Sequence, residues 1–373
     1  MEEVVNQTPV NPENPPVKPE KKRHSGIDLL RIIALFLICF SHANQTFASV
    51  SEFTPYGFAS LLSIGLTPFG TFGNVLFVIC SSYFLVDKTR SRAEKAINIL
   101  MDSSLISLCI LIGFLISPEP LSVNTIIQQV FPDVFALNWF VPCYAIFYLL
   151  SPIAVIGLKH FTKKQHFVFV VASLLVYGGL SLLGLPPIGS NLLQFFYILN
   201  LVAFVKWHVP SLASHKLANF LMFFIGLSLC YAGIYVSLLF SEPSALTGRI
   251  PIFSPFLVIA FLGLFNLFEQ MRFENKFISY LSGCSLFVYV IHENFLLRTI
   301  TRVNYYYWAY ATFGNDIAVA YMLVCGLFMF VAGFLLAVVY KETLARLTTL
   351  AAKGTAIGIN KLFDKIYALC FKE

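Results

Sequence analysis

The chain has 373 residues, of which 58% are hydrophobic and only 12% charged, and its mean hydropathy is +0.77. This composition excludes a soluble globular domain and indicates a membrane protein with several apolar helices. The net charge of +6 does not require nucleic acid as a partner, because basic loops orient membrane helices. The eight cysteines stand singly without metal-ligand spacing, so the sequence predicts neither structural zinc nor disulfides.

Three regions follow one another along the chain. Residues 1–24 are polar and rich in proline, glutamate and lysine, which predicts a disordered cytoplasmic tail and no cleaved signal peptide. Residues 25–340 predict one all-α integral membrane domain with about ten transmembrane helices. The predicted spans are 27–47, 68–86, 97–117, 139–157, 166–184, 189–205, 218–240, 252–268, 280–298 and 318–340. Residues 341–373 are too polar to span the bilayer and predict an amphipathic helix on the cytoplasmic surface.

The distribution of basic residues supports this number of spans. With the N-terminus in the cytoplasm, 21 of the 25 lysines and arginines fall in cytoplasmic segments. Arg249, Arg298 and Arg302 fall in outer segments, and Arg31 lies within the first span. Positive charge gathers in the cytoplasmic loops of membrane proteins. The sequence therefore predicts a multi-pass protein of the cell membrane with both termini in the cytoplasm.

The first span, GIDLLRIIALFLICFSHANQTF at residues 26–47, carries Asp28, Arg31 and His42. Ionisable groups inside a span are costly, so they face protein or a wet cavity and indicate function. Arg31 and His42 lie three helical turns apart, on one helix face and about 16 Å from each other. Asp28 lies one turn before Arg31. This face suits a ligand with a phosphate at one end and a reactive group at the other.

Structural roles for the same residues stay open at this point. His42 could bond a neighbouring helix, and Arg31 could extend to the membrane surface or pair with Asp28. His292 is the only other histidine within a predicted span, at a depth similar to that of His42, and Glu293 follows it. These groups could share one cavity. The remaining five histidines are expected to be solvated flanking residues; they are His24, His160, His166, His208 and His215.

Four motifs, taken in order, resemble the acyltransferase family 3 membrane proteins. They are the arginine–ten residues–histidine arrangement of the first span, the run GNVLFVICSSYFL at 73–85, Asn138-Trp139-Phe140 with Tyr144 and Pro152, and the run LFVYVIH at 286–292. Many family members carry an R-x-x-R pair before the third span, where this chain has Arg90, Arg92 and Lys95. The resemblance covers most of residues 26–340 and implies an enzyme that acylates sugars or other small acceptors.

The resemblance implies an acyl-CoA donor, most often acetyl-CoA, that enters from the cytoplasm as a substrate, with no bound cofactor and no metal. Arg31, with Arg90 or Arg92, is expected to bind the donor's phosphates, because guanidinium groups suit that geometry. His42 and Asp28 are the predicted catalytic residues. His42 acts either as a general base toward an acceptor hydroxyl or as a nucleophile that is itself acylated.

The acceptor is expected on the outer side, because His42 lies in the outer half of its span. The resemblance favours a cell-surface or lipid-linked glycan, the lipid bilayer of a bacterial plasma membrane as the location, and no nucleic acid partner. The residues expected to bind substrate are Trp139, Tyr289, His292 and Glu293. The amides considered as donors to an oxyanion are Asn44, Gln45 and Asn74.

Two functions other than acyl transfer fit the same intramembrane charges. A transporter could use His42 and Arg31 to move protons or an anionic or acyl substrate. Such proteins often contain inverted repeats and helices broken at matched positions, and the sequence shows no internal repeat. A non-catalytic membrane scaffold would leave both residues replaceable. Binding of CoA would separate the enzyme from both alternatives.

Overall fold

The computed structural model describes residues 24–370 except 51, 53, 117–119, 136, 180–189, 241–249 and 251–253. Over these residues the chain forms helices and no β-strand, which confirms the all-α prediction. The predicted disordered tail lies outside the described residues, apart from His24.

The helices are α1 (Ser25–Val50), α2 (Phe58–Leu66), α3 (Phe69–Leu85), α4 (Ala93–Leu115), α5 (Val123–Val130), α6 (Phe140–Lys159), α7 (Lys163–Ser173), α8 (Asn191–His208), α9 (Pro210–Ser214), α10 (Lys216–Ser237), α11 (Pro255–Glu269), α12 (Lys276–Ser282), α13 (Ser285–His292), α14 (Val303–Phe313), α15 (Asn315–Thr343) and α16 (Ala345–Cys370). Two short π-helical segments, Leu174–Gly179 and Leu297–Arg302, follow α7 and precede α14.

Each predicted span overlaps one of these helices or two consecutive ones. Within the described residues, six segments are long and apolar enough to cross a membrane. They are Ser25–Ser49, Phe58–Leu85, Ala93–Leu115, Phe140–Lys159, Lys216–Ser237 and Asp316–Thr343. The structure therefore supports a membrane protein with several spans, whereas the number of ten and the orientation stay predictions.

Helix α1 lies in the centre of the bundle. Its residues Leu30, Ala34 and Cys39 are fully buried, and it packs closely against α3. A Cβ atom added at Gly73 of α3 would collide with the carbonyl oxygen of Ala34 and the side chain of Ile38, so only glycine permits this approach. Because protein rather than lipid surrounds α1, the helix can carry ionisable side chains within the bilayer.

Segments predicted to be cytoplasmic meet at one end of the bundle. The backbone N–H of Asn275 donates to Ser25 Oγ at 2.8 Å, and Lys206 Nζ lies 2.6 Å from Asp87 Oδ2. The C-terminal helix α16 joins them, since Asn360 Oδ1 accepts from the backbone N–H at the start of α4 at 2.9 Å. Within the described part of the chain, this end therefore brings together several of the predicted cytoplasmic segments and their lysines and arginines.

Helix α16 covers most of the segment predicted to be an amphipathic cytoplasmic helix, and its two faces differ. Ala352, Ala356 and Tyr367 are buried on its inner face. Its outer face exposes a series of large apolar side chains, which are Leu347, Leu350, Ile357, Leu362 and Leu369. A helix with such a face suits the boundary between headgroups and acyl chains.

The prediction that His166 is solvated is wrong. Its side chain is fully buried, with Nε2 2.9 Å from Asn200 Oδ1 and Nδ1 3.1 Å from His208 Nε2. The residue belongs to the first turn of α7 and faces α8, where the asparagine compensates for the loss of water.

Candidate active site

His42 lies in the outer half of α1, with its side chain 17% exposed. Its Nδ1 atom is 2.7 Å from Glu293 Oε2 and 3.0 Å from His292 Nε2. Because Nε2 of His292 accepts, Nδ1 of His42 carries the proton and donates it to that atom, while the carboxylate of Glu293 makes a close charge contact through Oε2, which has no hydrogen-bond partner among the described residues. This fixes the tautomer of the neutral ring and leaves Nε2 as the basic atom.

His292 completes a consistent arrangement of protons. Its Nδ1 lies 2.9 Å from the carbonyl oxygen of Val288, which can only accept, so Nδ1 is the protonated atom of this ring. Nε2 is then free of a proton and accepts from Nδ1 of His42. His292 thus positions the His42 ring and is itself buried.

His292 and Glu293 can both contact His42 because the helix that carries them ends at His292. The sequence predicts one continuous span at 280–298, but α12 ends at Ser282 and α13 ends at His292. Adjacent residues on an uninterrupted helix point about 100° apart, so they would not meet the same ring. After His292 the chain leaves the helix, with the N–H of Leu296 donating to Asn294 Oδ1 at 3.0 Å.

Two arginines that sequence reasoning assigned to an outer loop surround Glu293. Arg298 Nη1 lies 2.7 Å from Oε1, and Arg302 Nη2 lies 3.6 Å from Oε2. Arg302 also donates to the carbonyl oxygen of His292 at 3.2 Å and is buried. These charges balance the carboxylate in a site that water barely reaches. The sequence feature that could have identified these arginines is their position five and nine residues after Glu293, a carboxylate within a predicted span.

The same three groups are of the kind that bind metal. His42, His292 and Glu293 each offer one ligand atom, and these atoms lie within 4.8 Å of one another. Two histidines and a carboxylate are common zinc ligands. Here, however, Arg298 and Arg302 already compensate the carboxylate, and they would repel a divalent cation. We therefore interpret the group as a hydrogen-bonded acid–base pair rather than a metal centre.

Asp28 lies at the other end of α1. Its oxygens accept from Ser279 Oγ at 2.8 Å and from Ser282 Oγ at 2.9 Å, and Arg31 Nη1 is 3.5 Å away. Fourteen residues of helix, about 21 Å, separate Asp28 from His42. The structure therefore does not bring Asp28 to the chemistry predicted for it; Asp28 joins α1 to α12 and orients Arg31.

A cavity of about 290 Å³ lies along α1 from Arg31 to Ile38, and His42 itself does not line it. Arg31 and Lys95 line it on the side of the cytoplasmic segments, and Ile38, Phe140 and Tyr289 line it farther along α1. Ile38 precedes His42 by one helical turn, and the rings of Tyr289 and His42 lie 6.4 Å apart. The cavity therefore leads from two cations to the neighbourhood of the imidazole.

The other predicted substrate residues differ in their positions. Tyr289 lines the cavity, whereas Trp139 packs behind it, with its ring 5.8 Å from that of Phe140. Among the amides considered for an oxyanion, Asn74 lines the cavity. Asn44 donates to the carbonyl oxygen of Ser63 at 2.8 Å and is fully buried.

Arg90 and Arg92 lie at the mouth of this path. They line a neighbouring cavity of about 530 Å³ together with Lys88, Lys353 and Lys95. Lys95 lines both cavities, so the two adjoin. Sequence reasoning missed Lys353, because it lies some 260 residues from Arg92 in α16.

The comparisons with known proteins agree with the motifs. No curated protein and no solved structure matches the chain. Residues 24–338, almost the whole chain, match the family described as an acyltransferase domain. The resemblance seen in the sequence is thereby confirmed, and the chain belongs to acyltransferase family 3 and is a membrane acyltransferase.

Proposed function

We propose that this protein transfers an acetyl group from cytoplasmic acetyl-CoA to a hydroxyl of a cell-surface or lipid-linked glycan on the outer side of the membrane. The observation that carries the proposal is the contact of His42 with Glu293 one helical turn beyond a cavity that holds Arg31 and Lys95 at its other end. A base oriented by a carboxylate is typical of acyl transfer, and the cations suit the phosphates of CoA.

The donor's shape supports this assignment. CoA carries its phosphates at one end and its thioester at the end of a flexible pantetheine arm. The distance from Arg31 to His42 along α1 is about 16 Å, and the cavity that covers the first part of this distance is lined by both apolar and polar side chains. An arm lying in this cavity would present its thioester close to His42.

The proposed chemistry is a single transfer step in which His42 is the general base. Nε2 takes the proton from the acceptor hydroxyl as its oxygen attacks the thioester carbon. The carbon–sulfur bond then breaks, and the leaving thiolate of CoA takes the proton from the imidazolium. Glu293 stabilises the imidazolium, because its carboxylate lies 2.7 Å from Nδ1. The amide of Asn74, which lines the cavity, is the proposed donor to the oxyanion.

The alternative route passes through an acetyl group on Nε2 of His42. It would form the N–acyl bond with loss of CoA and then pass the acetyl group to the acceptor. Incubation with labelled acetyl-CoA and no acceptor separates the two routes. Label retained on the wild-type protein and absent from His42→Ala supports the two-step route.

The test of the function is label incorporation from acetyl-CoA into the glycan fraction of membranes. Wild type, His42→Ala and His215→Ala are compared at matched protein level, with exposed His215 as the control. We expect incorporation by wild type and His215→Ala and its loss in His42→Ala. Equal incorporation by all three would remove His42 from the mechanism. Movement of acetate or protons without covalent transfer would favour a transporter.

A further inference from the structure

A third cavity, of about 340 Å³, lies between the start of α4 and the C-terminal helix α16. Its volume falls in the range of small-ligand pockets, about 300–1,000 Å³. The α16 side is formed by Asn360, Phe363, Asp364 and Tyr367. These residues follow the spacing of one helix face, so α16 presents a continuous strip of polar and aromatic groups to the cavity.

The strip is held in place by specific contacts. Asn360 Oδ1 accepts from the backbone N–H of Ala93 at 2.9 Å. Nearer the start of α16, Thr348 Oγ1 donates to the buried carboxylate of Asp102 at 2.6 Å, as does the hydroxyl of Tyr340. Helix α16 therefore has a fixed position on α4, and the cavity between them is part of the fold.

The lining suits an adenine nucleotide. Tyr367, which is buried, and Phe363 supply aromatic surface, and bases stack on such side chains. Glu94 is partly buried; its carboxylate is held by its own backbone N–H and by the side chain of Asn360, and its Oε2 atom has no hydrogen-bond partner among the described residues. That oxygen and the carboxylate of Asp364 can accept from an exocyclic amine. Arg90, which lies only loosely against Asp364 at 4.0 Å, can bind a phosphate.

The cavity continues into those already described. Arg90, Arg92 and Glu94 line both it and the basic cavity at the mouth, and Lys95 leads from there to the cavity beside His42. In this direction lie the aromatic pocket, then the basic cavity, then the cavity along α1. CoA has the same order in its adenosine, its phosphates and its pantetheine arm.

We propose that α16 completes a subsite for the 3′-phosphoadenosine part of CoA, with Phe363 and Tyr367 against the adenine. Glu94 and Asp364 accept from its amine, and Arg90 and Arg92 bind the phosphate. This inference rests on the proposed function, since it assigns a part of that donor. The residues that α16 contributes lie beyond residue 338, where the match to the family ends, whereas Arg90, Arg92 and Glu94 lie within it.

The test compares acetyl-CoA with acetyl-4′-phosphopantetheine, a donor that lacks the nucleotide. Wild type, Phe363→Ala, Asp364→Ala, Tyr367→Leu and Leu362→Ala are purified as full chains, and KM and kcat are measured with each donor. Leu362, which is exposed and does not line the cavity, is the control. We expect KM for acetyl-CoA to rise about tenfold in Phe363→Ala, the size of a lost stacking contact. We expect kcat and the KM for the truncated donor to stay unchanged.

The outcomes separate this inference from the proposed function. If wild type uses both donors with the same KM, the subsite is overturned while acyl transfer stands. The same conclusion follows if Phe363→Ala and Asp364→Ala behave like Leu362→Ala. If wild type transfers acetyl from neither donor, the proposed function itself fails. Should Tyr367→Leu not accumulate, the two other variants decide, because Phe363 is only partly buried and Asp364 is exposed.

Discussion

Glu293 has two tasks at the candidate active site. Its carboxylate contacts Nδ1 of His42 at 2.7 Å and so restricts the ring, and it places a negative charge beside the ring when Nε2 takes up a second proton. Arg298 and Arg302 hold the carboxylate in place. A group that orients a base and stabilises its charged form acts most strongly in the transition state.

Replacing Glu293 by glutamine should therefore affect the chemical step. The amide has a similar shape, but its N–H₂ group can donate to Nδ1 of His42 and drive the ring proton to Nε2. We expect kcat to fall about 10²- to 10⁴-fold, the range of general-base catalysis, with little change in the KM for acetyl-CoA. Initial rates measured at saturating acceptor over a range of acetyl-CoA concentrations give both kcat and KM. A kcat within twofold of wild type would contradict the assigned role.

Arg31 should show the opposite pattern. It lies at the far end of the cavity from His42, so its removal should weaken donor binding and leave the chemistry intact. We expect Arg31→Ala to raise the KM for acetyl-CoA about tenfold or more, because hydrogen bonds to charged groups contribute about 1.5–3 kcal/mol, and to change kcat little. Arg272→Ala, at an exposed arginine outside these cavities, is the control. A loss of kcat at constant KM would place Arg31 at the reacting atoms instead.

At the scale of helices, the periodicity of the sequence predicts which residues share one face of a helix better than it predicts which residues of neighbouring helices are in contact. The spacing of Arg31 and His42 predicts that both lie along one side of α1; Arg31 and Ile38 of this helix line the cavity, and His42 lies one turn beyond Ile38. The sequence also groups His292 and Glu293 with His42. Asp28 is different: it shares the helix face but bonds to α12, because the partner of a side chain depends on how the neighbouring helix is rotated.

The arginines around Glu293 show a second reason why the candidate site could not be fully predicted from the sequence. Arg298 and Arg302 count as outer-loop charges by hydropathy, yet they turn back to the carboxylate. They do so because the α-helix ends at His292 and the polypeptide continues into a short π-helical segment, Leu297–Arg302. Breaks of this kind are tolerated at membrane depth where they are enclosed by protein or line a cavity, and hydropathy does not locate them.

The contact between α1 and α3 gives a test at this scale. Gly73→Val would place side-chain atoms against the carbonyl oxygen of Ala34 and the side chain of Ile38. We expect it to lower stability by about 1–3 kcal/mol, the usual cost of overpacking, seen as a lower melting temperature in detergent. Gly157→Ala in α6, where an added Cβ meets nothing within 4 Å, should match or exceed wild type because alanine favours helix. Equal melting temperatures for Gly73→Val and wild type would contradict the close packing.

At the scale of the whole molecule, the cavities and the charge distribution describe a path for the donor. Basic residues gather at the end of the bundle where α4 and α16 meet, and the passage beyond leads toward His42. The sequence predicts this end to be cytoplasmic from its excess of lysine and arginine. It could not predict that α16 covers the mouth, because contact between segments so far apart in the chain leaves no periodic signal.

The most direct test of the central claim is transfer across a membrane by the reconstituted protein. Proteoliposomes with a single orientation receive labelled acetyl-CoA on the side of Arg90 and Arg92 and a glycan acceptor on the other side. We predict label on the acceptor and an equal amount of free CoA thiol on the donor side with wild type, and neither with His42→Ala. Labelling by His42→Ala at the wild-type rate, or labelling only when donor and acceptor share one side, would contradict the claim.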